Sequence, residues 1–281
     1  MKNIFNRNTL LFWAFHLFSL GAFWFPFTAE TLAVIAGSYF VRMFFITAAY
    51  HRYFAHRAFE AGRGFQLFLA FMAMTSSQKG VLWWSGHHRI HHRHSDMDGD
   101  LHSPKQGFWW SHCGWFLASD HEETPVDRIR DFAKFPEIAF LDRHWWIPVA
   151  SFFLFQFLMW GWMGVFCGGF LGTTLLWHGT FTINSLSHLW GSQRYETGDL
   201  SRNNPVLAFI TLGEGWHNNH HYSPSAARNG FKWYEFDVTF YGILLFEKLG
   251  LVKNLRGIRR ASELTEVPGF EKRTANIAQS H

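Results

Sequence analysis

The sequence is poor in charge and in cysteine. Only 16% of its 281 residues are Asp, Glu, Lys or Arg, against about 25% in an average soluble domain, which argues against an ordinary cytosolic protein. Two cysteines, Cys113 and Cys167, supply neither a disulfide framework nor a thiolate metal cage, and they fit a reducing compartment. The net charge of +4 comes from cations interleaved with apolar blocks, which favours lipid headgroups or an acidic partner over nucleic acid.

Apolar and aromatic residues are abundant instead. Hydrophobic residues make up 48% of the chain and aromatic residues 20%, including 33 Phe and 15 Trp. The mean hydropathy is nevertheless only -0.07. Apolar residues must therefore be concentrated in blocks, with polar residues, notably 18 His, gathered elsewhere. This distribution predicts an all-α membrane protein with a polar cap.

Four blocks approach the length of about 20 apolar residues that a spanning helix needs. We predict transmembrane helices at about residues 9–27, 31–50, 145–166 and 168–183. Short connections pair them into two hairpins, the second turning at Cys167. The first block also resembles a signal peptide, but Trp24 and Pro26 occupy the place of a small-residue cleavage site. The second block contains Arg42, which must snorkel or pair with an anion.

The distribution of Lys and Arg predicts the orientation. Residues 52–143 hold eleven and the chain after Ile183 another eleven, whereas the two hairpin turns hold none. The positive-inside rule then places the N-terminus and both polar blocks in the cytoplasm. We expect a single domain over residues 1–281. Its cytoplasmic helical cap would comprise residues 51–144 and 184–246, and residues 247–281 would form a peripheral tail. A compact chain without a fused haem domain or retention signal favours a bacterial inner membrane.

Eight histidines of the predicted cap form three groups. These are His51-x4-His56, His88-x2-His91-His92 and His217-x2-His220-His221. Positions i, i+3 and i+4 share one face of an α-helix, so we expect each triplet to form one half-site. His51 and His56 lie about 140° apart on a regular helix, so one ligand to each of two metals is the easier geometry. Eight imidazoles exceed the ligands of one zinc and suit two metals such as iron.

The order of these groups resembles the integral-membrane fatty-acyl desaturases, in particular the stearoyl-CoA desaturase branch. The resemblance covers roughly residues 30–235. It is carried by three histidine boxes and two intervening stretches, which read HRYFAH (51–56), HHRIHHRHSD (87–96), GEGWHNNHH (213–221), GFWWSHCGW (107–115) and NSLSHLWG (184–191).

This resemblance implies a di-iron centre held by nine histidines. Carried over position by position, they are His51, His56, His88, His91, His92, His188, His217, His220 and His221. His188 enters only through NSLSHLWG, and Asn184 would contact one iron through a water. Asp96 and Glu214 are candidates to accept the second N–H of a ligand imidazole, although Asp96 to Asp100 with Gly99 also suit a solvated turn.

The family chemistry implied is an oxygen-dependent desaturation. O2 and two externally supplied electrons would introduce a cis double bond, at the Δ9 position, into a saturated acyl chain. Gly213-x-Gly215 opens no dinucleotide-binding motif, so we expect no bound nicotinamide or flavin. A ferredoxin or a small haem protein would then deliver the electrons.

The acyl carrier and two other functions stay open at this point. The acyl-CoA branch has an Arg-Asp pair directly before the second box, where this chain has Gly86 and His87. The carrier is therefore either CoA or a phospholipid. A di-iron hydroxylase or alkane monooxygenase would use the same boxes. A metal-binding membrane transporter is less favoured, because its ligands should lie within the spans rather than cap them.

Overall fold

Helices account for almost all regular structure in the computed structural model, which describes residues 6–258. The α-helices are α1 Arg7–Ser19, α2 Ala29–Phe45, α3 Arg63–Met74, α4 Val81–His94, α5 Trp115–Leu117, α6 Arg130–Ala133, α7 Pro136–Arg143, α8 Trp146–Met163, α9 Gly172–Asn184, α10 Pro205–Ile210, α11 His217–Tyr222 and α12 Val238–Lys248. Five 3₁₀-helices lie at Leu20–Trp24, Pro104–Gln106, Ser119–His121, Val126–Arg128 and Leu186–His188. Three π-helices lie at Ile46–Ala55, Trp110–Gly114 and Gly164–Leu171. The prediction of a helical fold is confirmed.

Within residues 6–258, two helical segments are long and apolar enough to cross a membrane. They are Ala29–Ala55 and Trp146–His188. In the second segment, only 17% of the most apolar stretch of 18 residues is buried within the protein. Leu154, Phe155 and Leu158 are among its exposed residues. A contiguous exposed apolar surface of this kind suits contact with lipid. The arrangement as four spans in two hairpins stays a prediction.

The second of these segments folds back on itself at Gly161, and not at Cys167 as predicted. Gly161 has φ 59° and ψ -145°, a backbone conformation that side chains with a Cβ rarely adopt. The chain then continues helically through Cys167. A Cβ on Gly168 would lie 2.4 Å from Oε1 of Gln156, so the returning arm packs closely against α8. Glycine-rich sequence marked the region of the turn but not its residue.

Arg42 is buried and neither snorkels nor meets an anion. Among residues 6–258, its guanidinium donates to neutral oxygens only, including Oγ1 of Thr173 at 2.6 Å and the carbonyl of Gly168 at 3.3 Å. It also donates to the carbonyl of Thr75 at 3.4 Å, which follows α3. Helix α3 therefore runs back along α2 to the level of Arg42, so part of the predicted cap at 51–144 packs beside the apolar helices.

A two-stranded antiparallel sheet closes the fold. Strand β1, Glu60–Ala61, pairs with β2, Val252–Lys253. Val252 is buried in the main apolar core. The prediction of a peripheral helix and loose tail from residue 247 is therefore wrong for residues 247–256, because a strand pair fixes them to the loop after the first histidine box. The rest of the predicted tail, residues 259–281, lies outside the described residues.

Candidate metal centre

Nine histidines converge in two groups. The first histidine cluster comprises His51, His56, His88, His92 and His220. The second histidine cluster comprises His91, His188, His217 and His221. Within each cluster, the nearest ring nitrogens all lie within 4.8 Å of one another. The two clusters contain the nine residues that the family resemblance selected.

Each triplet is divided between the two clusters, so the expectation of one half-site per triplet is wrong. On α4, His88 and His92 enter the first cluster and His91 the second. Successive residues of an α-helix are rotated by about 100°, so positions i and i+4 are about 40° apart, whereas i+3 and i+4 are about 100° apart. A helix lying between two sites therefore sends its i and i+4 side chains to one and its i+3 side chain to the other.

The third box repeats this division in the opposite sense. On α11, His217 and His221 enter the second cluster and His220 the first. The two helices thus contribute three histidines each, and each helix contributes to both clusters. Loss of either helix would dismantle both.

His51 and His56 lie in one cluster, contrary to the expectation that each serves a different metal. Residues Ile46–Ala55 form a π-helix, and the amide of His56 donates to the carbonyl of His51 at 3.1 Å. This i to i+5 bond winds the chain more widely than an α-helix. Positions i and i+5 therefore lie on nearly the same face, and the two rings are 4.7 Å apart.

The nitrogen spacing fits a metal. In the first cluster, Nε2 of His220 lies 3.0 Å from Nε2 of His51 and 2.9 Å from that of His92. In the second, the Nε2 atoms of His188 and His217 are 3.0 Å apart. Two imidazole nitrogens each about 2.1 Å from one ion and at right angles would be about 3 Å apart. The residues present therefore suit one metal ion in each cluster.

Two buried nitrogens supply a second test of this fit. Nε2 of His91 and Nε2 of His221 are buried, and neither has a hydrogen-bond partner among residues 6–258. Buried polar atoms in native proteins are nearly always satisfied. Both atoms belong to the second cluster, where a bound cation would be their partner.

Four buried carboxylates contact the rings on the side that faces away from the clusters. Three of them accept a hydrogen bond from the Nδ1 of one cluster histidine, and the fourth, Glu214, lies in ion-pair contact with the Nδ1 of His51. These contacts leave Nε2 of each ring facing the cluster. The pairs are Glu214 with His51 at 2.6 Å, Asp96 with His188 at 2.7 Å, Asp100 with His91 at 2.9 Å and Asp199 with His221 at 2.7 Å. Asp96 and Glu214 thus make the contacts expected of them. Asp96 and Asp100 are only 3% and 4% exposed, whereas Met97 to Gly99 between them lie in an exposed turn. The alternative of a solvated turn therefore holds only for the three middle residues.

Burial keeps five of the nine cluster histidines in the neutral form that binds metal. Desolvation lowers the pKa of His88, His92, His217, His220 and His221 well below the ordinary value. A neutral imidazole is the form that ligates a metal ion. At neutral pH these side chains therefore need not release a proton to bind.

Asp199 was missed at the sequence level because it belongs to no box and has no diagnostic spacing. We expect Asp199→Asn to lower metal affinity or activity by about 10–100-fold, since removing the charge weakens the orientation and basicity of His221. Metal content per chain after dialysis against a graded series of chelator concentrations measures the effect. The exposed Asp98 is the matched control, and an Asp98→Asn variant that loses as much metal would show that Asp199 has no special role.

A buried ion-pair network supports the first cluster. The Arg52 guanidinium donates to Oε1 of Glu214 at 3.0 Å and to Oδ1 of Asp237 at 3.0 Å. It also donates to the carbonyl of Ala227 at 2.8 Å. The other oxygen of Glu214 lies 2.6 Å from Nδ1 of His51, so Arg52 fixes the carboxylate that orients a cluster histidine. The contact between Arg52 and Asp237 was not predicted from the sequence, because the two residues lie 185 positions apart.

An apolar cavity of about 450 Å³ adjoins the clusters. Aromatic residues such as Phe12, Phe153 and Trp177 line most of it. His88 and Asn184 also line it, so it reaches the first cluster. Asn184 lies in neither cluster, and its predicted contact with iron through a water stays a prediction.

Hydrogen bonds shape the cavity wall beside the first cluster. Gln78 accepts from Nε1 of Trp84 at 3.1 Å and donates to Oγ1 of Thr180 at 3.2 Å, and Trp84 stacks on His88 with ring centroids 5.0 Å apart. His102, to which the sequence assigned no role, also lines the cavity and stacks on His91 at 4.1 Å. A long apolar molecule lying in this cavity would pass next to the candidate metal centre.

The structure combines apolar membrane-length helices, two histidine clusters suited to metal and an adjoining apolar cavity. This combination is the one expected of a membrane metalloenzyme with an apolar substrate. A sequence model of the fatty acid desaturase family matches residues 29–238. The chain belongs to the fatty acid desaturase family, and it is an oxidoreductase of the desaturase type.

Individual relatives act on acyl chains attached to different carriers. The chain is 37% identical to an sn-2 palmitoyl-lipid 9-desaturase of Nostoc sp. (strain 36), over 88% of this chain and 89% of the relative. It is 36% identical to an sn-1 stearoyl-lipid 9-desaturase of Anabaena variabilis, over 89% and 93%. It is 38% identical to a probable acyl-CoA desaturase of Schizosaccharomyces pombe, over 84% of this chain but only 51% of that relative.

Proposed function

We propose that the protein introduces a cis Δ9 double bond into a saturated acyl chain, using O2 and two electrons from an external carrier such as a ferredoxin or a small haem protein. Per double bond, one CH2–CH2 unit, one O2, two electrons and two protons give one CH=CH unit and two water molecules. The observation that supports this most is the pair of histidine clusters at the wall of an apolar cavity. The position of the double bond follows the names of the two lipid 9-desaturases.

The proposed cofactors are two iron ions, one in each histidine cluster. When bound, they would supply the O2 activation that is needed to remove hydrogen from an unactivated methylene. The chain's own residues would do the rest. The cavity would hold the acyl chain away from water, Glu214, Asp96, Asp100 and Asp199 would hold the ligand rings, and Asn184 would position a water beside one ion.

We infer that the acyl carrier is a membrane lipid. A Cβ on Gly86 would lie 2.8 Å from Cγ of Pro125, so an arginine cannot be accommodated where the acyl-CoA branch has its Arg-Asp pair. His87 is also turned inward, with its Nδ1 2.9 Å from the carbonyl of Trp83. Gly86 and His87 are both buried, so neither position presents a charged side chain to a CoA nucleotide. The two relatives that the chain matches over about 90% of their length are both named for lipid substrates.

A pulse-labelling experiment tests both parts of this proposal. The chain is expressed in a desaturase-deficient host, which receives a short pulse of isotope-labelled saturated fatty acid, and the acyl-CoA and phospholipid fractions are analysed separately by mass spectrometry. We expect a labelled cis Δ9 monoene to form first in phospholipid. Formation first in acyl-CoA would contradict the lipid carrier. Hydroxylated products without an alkene would contradict desaturation and favour the hydroxylase alternative.

We also propose that the protein is a multi-pass protein of a bacterial inner membrane, with the clusters facing the cytoplasm. The structure supports one common side for the clusters: His51 lies near the end of the Ala29–Ala55 helix, and His188 ends the Trp146–His188 segment. Both apolar segments therefore arrive at the candidate centre at the same end. The lysines and arginines concentrated in the polar blocks favour the cytoplasm for that end.

A further inference from the structure

Among the described residues of its wall, the apolar cavity has a single permanently charged side chain, that of Lys79. Most of the other lining residues are apolar or aromatic. Within residues 6–258, the half-buried Lys79 ammonium makes no hydrogen bond and no ion pair, and it lies over the Trp83 ring at 4.3 Å from the centroid. A cation that is partly removed from water is costly unless an anion accompanies it. The position therefore suits an anionic ligand.

The backbone of Lys79 is strained, and its neighbours hold it in place. Its φ angle is 64°, in the left-handed region that glycine occupies at lower energetic cost. The buried Tyr50 donates from its hydroxyl to the carbonyl of Lys79 at 2.8 Å, and the adjacent Gln78 bonds Trp84 and Thr180 at the cavity wall. Strained residues persist where surrounding contacts impose them, and they cluster at ligand-binding sites. A lysine at a position where glycine would be less strained indicates a use for the ammonium group.

The cavity reaches the protein surface where α1 and α8 begin. Leu11 of α1 and Trp146 of α8 both line it and are 38% and 57% exposed. Trp146 is also the first residue of the membrane-length segment Trp146–His188. Tryptophan is enriched where such segments meet the lipid headgroups. The mouth of the cavity therefore lies at the depth of the headgroups, where the phosphates of membrane lipids are found.

Lys79 lies at this mouth and brings positive charge to it. The charged groups that act on its ammonium are Glu122 and Arg7, the first residue of α1. Both are exposed, and Glu122 also accepts a hydrogen bond at 3.3 Å from Asn8, a further lining residue. Burial lowers the pKa of Lys79 to about 8, so the ammonium is charged at neutral pH. Two cations thus accompany one carboxylate at the cavity mouth, which favours an anionic headgroup.

We propose that Lys79 binds the phosphate of the lipid substrate at the mouth of the cavity, so that the enzyme selects anionic phospholipids over uncharged lipids with the same acyl chains. This inference rests on the proposed desaturase function and names its substrate class more closely. An ammonium and a phosphate form a charge-assisted hydrogen bond, which is roughly twice as strong as a neutral one. With its phosphate held there, the lipid would extend an acyl chain into the cavity, past Gln78 and toward His88. Lys79 determines specificity and takes no part in the chemistry.

Binding of two short-chain lipids tests the proposal without turnover. The full chain in a non-ionic detergent is titrated calorimetrically with dioctanoyl phosphatidylglycerol and with dioctanoylglycerol, which carries the same acyl chains and no charge. We expect the phospholipid to bind the wild type about tenfold more tightly or better, since hydrogen bonds to charged groups are worth at least that factor. Lys79→Met should remove this preference and change the affinity for dioctanoylglycerol by less than about twofold.

Two further variants separate the charge of Lys79 from a structural role. Lys79→Arg keeps the positive charge and should retain most of the preference for the phospholipid. Lys134→Met is the matched control, because Lys134 is an exposed cation that also lies over an aromatic ring, that of Phe135, but lines no part of the cavity. Equal affinity of the wild type for both lipids would overturn the proposal. An equal loss for both lipids in Lys79→Met, or an equal effect of Lys134→Met, would do so as well.

Turnover distinguishes a lipid phosphate from the phosphates of CoA, which offer the same chemistry. The wild type and Lys79→Met are expressed in a desaturase-deficient host, and labelled alkene is measured separately in anionic phospholipids, uncharged lipids and acyl-CoA. We expect Lys79→Met to slow alkene formation about fivefold or more in the anionic phospholipids alone. A loss that begins in acyl-CoA would overturn the assignment to lipid. No alkene in any fraction from the wild type, with the binding preference intact, would refute the proposed function and leave the phosphate site standing.

Discussion

Replacing His188 with alanine is expected to remove one of two bound irons and to abolish double-bond formation. His188 is 1% exposed, and its Nε2 lies 3.0 Å from that of His217. Its loss leaves the second cluster with three imidazoles. Because losing even an outer hydrogen-bond partner typically costs 10–100-fold, we expect loss of a ligand to reduce alkene formation by about 100-fold or more. Iron content should fall from about two to about one per chain.

Iron analysis of the purified protein and the alkene yield in cells measure the two effects separately. His144→Ala is the matched control, because His144 lies outside both clusters and its imidazole hydrogen-bonds, among the described residues, only the carbonyl of Phe140. The first cluster is complete in both variants, so retention of about one iron would show that His188→Ala still folds. Full iron content with full activity in His188→Ala would refute its assignment as a ligand.

The second large effect is expected from Arg52→Met, which should lower the free energy of unfolding by about 3–5 kcal/mol. Arg52 is 1% exposed and holds two carboxylates that are themselves buried, Glu214 and Asp237. Removing one partner of a buried ion pair leaves uncompensated charge in a medium of low dielectric constant, and here two charges are left. Denaturant titration in mixed micelles, followed by tryptophan fluorescence, measures the loss.

Two further variants show whether charge is the cause. Adding Glu214→Gln and Asp237→Asn to Arg52→Met removes the stranded charges and should recover part of the stability. Arg63→Met breaks the exposed ion pair with Glu137 and should leave the unfolding midpoint unchanged, because exposed pairs contribute little. A destabilisation of Arg63→Met equal to that of Arg52→Met would contradict the explanation by burial.

The candidate site was largely predictable from the order of the histidines, but its geometry was not. Regular α-helical spacing correctly placed His88, His91 and His92 near one another and incorrectly gave them a single metal. The placement of His51 and His56 in one cluster depends on a π-helix. The spacing of residues along the chain does not predict where a π-helix forms. A π-helix needs tertiary contacts to stabilise its wider turn, so the surrounding helices decide where it forms.

Residues that contact the site from a distance were predicted least well. Asp96 and Glu214 lie inside or beside histidine boxes and were found, whereas Asp199 and Asp237 lie outside them and were not. A carboxylate orients a histidine through a single contact between two residues that can lie far apart in the chain. Such a contact produces no periodic sequence pattern from which it could be predicted. The position of the second hairpin turn was missed for a similar reason, since several glycines near Cys167 satisfied the same local rule.

The sequence by itself predicted the helical fold and the family, and the family resemblance selected the nine histidines that the structure gathers in two clusters. Apolar block length, low charge and the order of three boxes depend only on residue type and separation, which are explicit in the chain. Tertiary structure alone decided how the histidines are divided between two clusters, which carboxylates lie against them, and that Arg52 is buried between two acids. Each of these is a contact between residues far apart in the chain, and such contacts are fixed by packing rather than by local pattern.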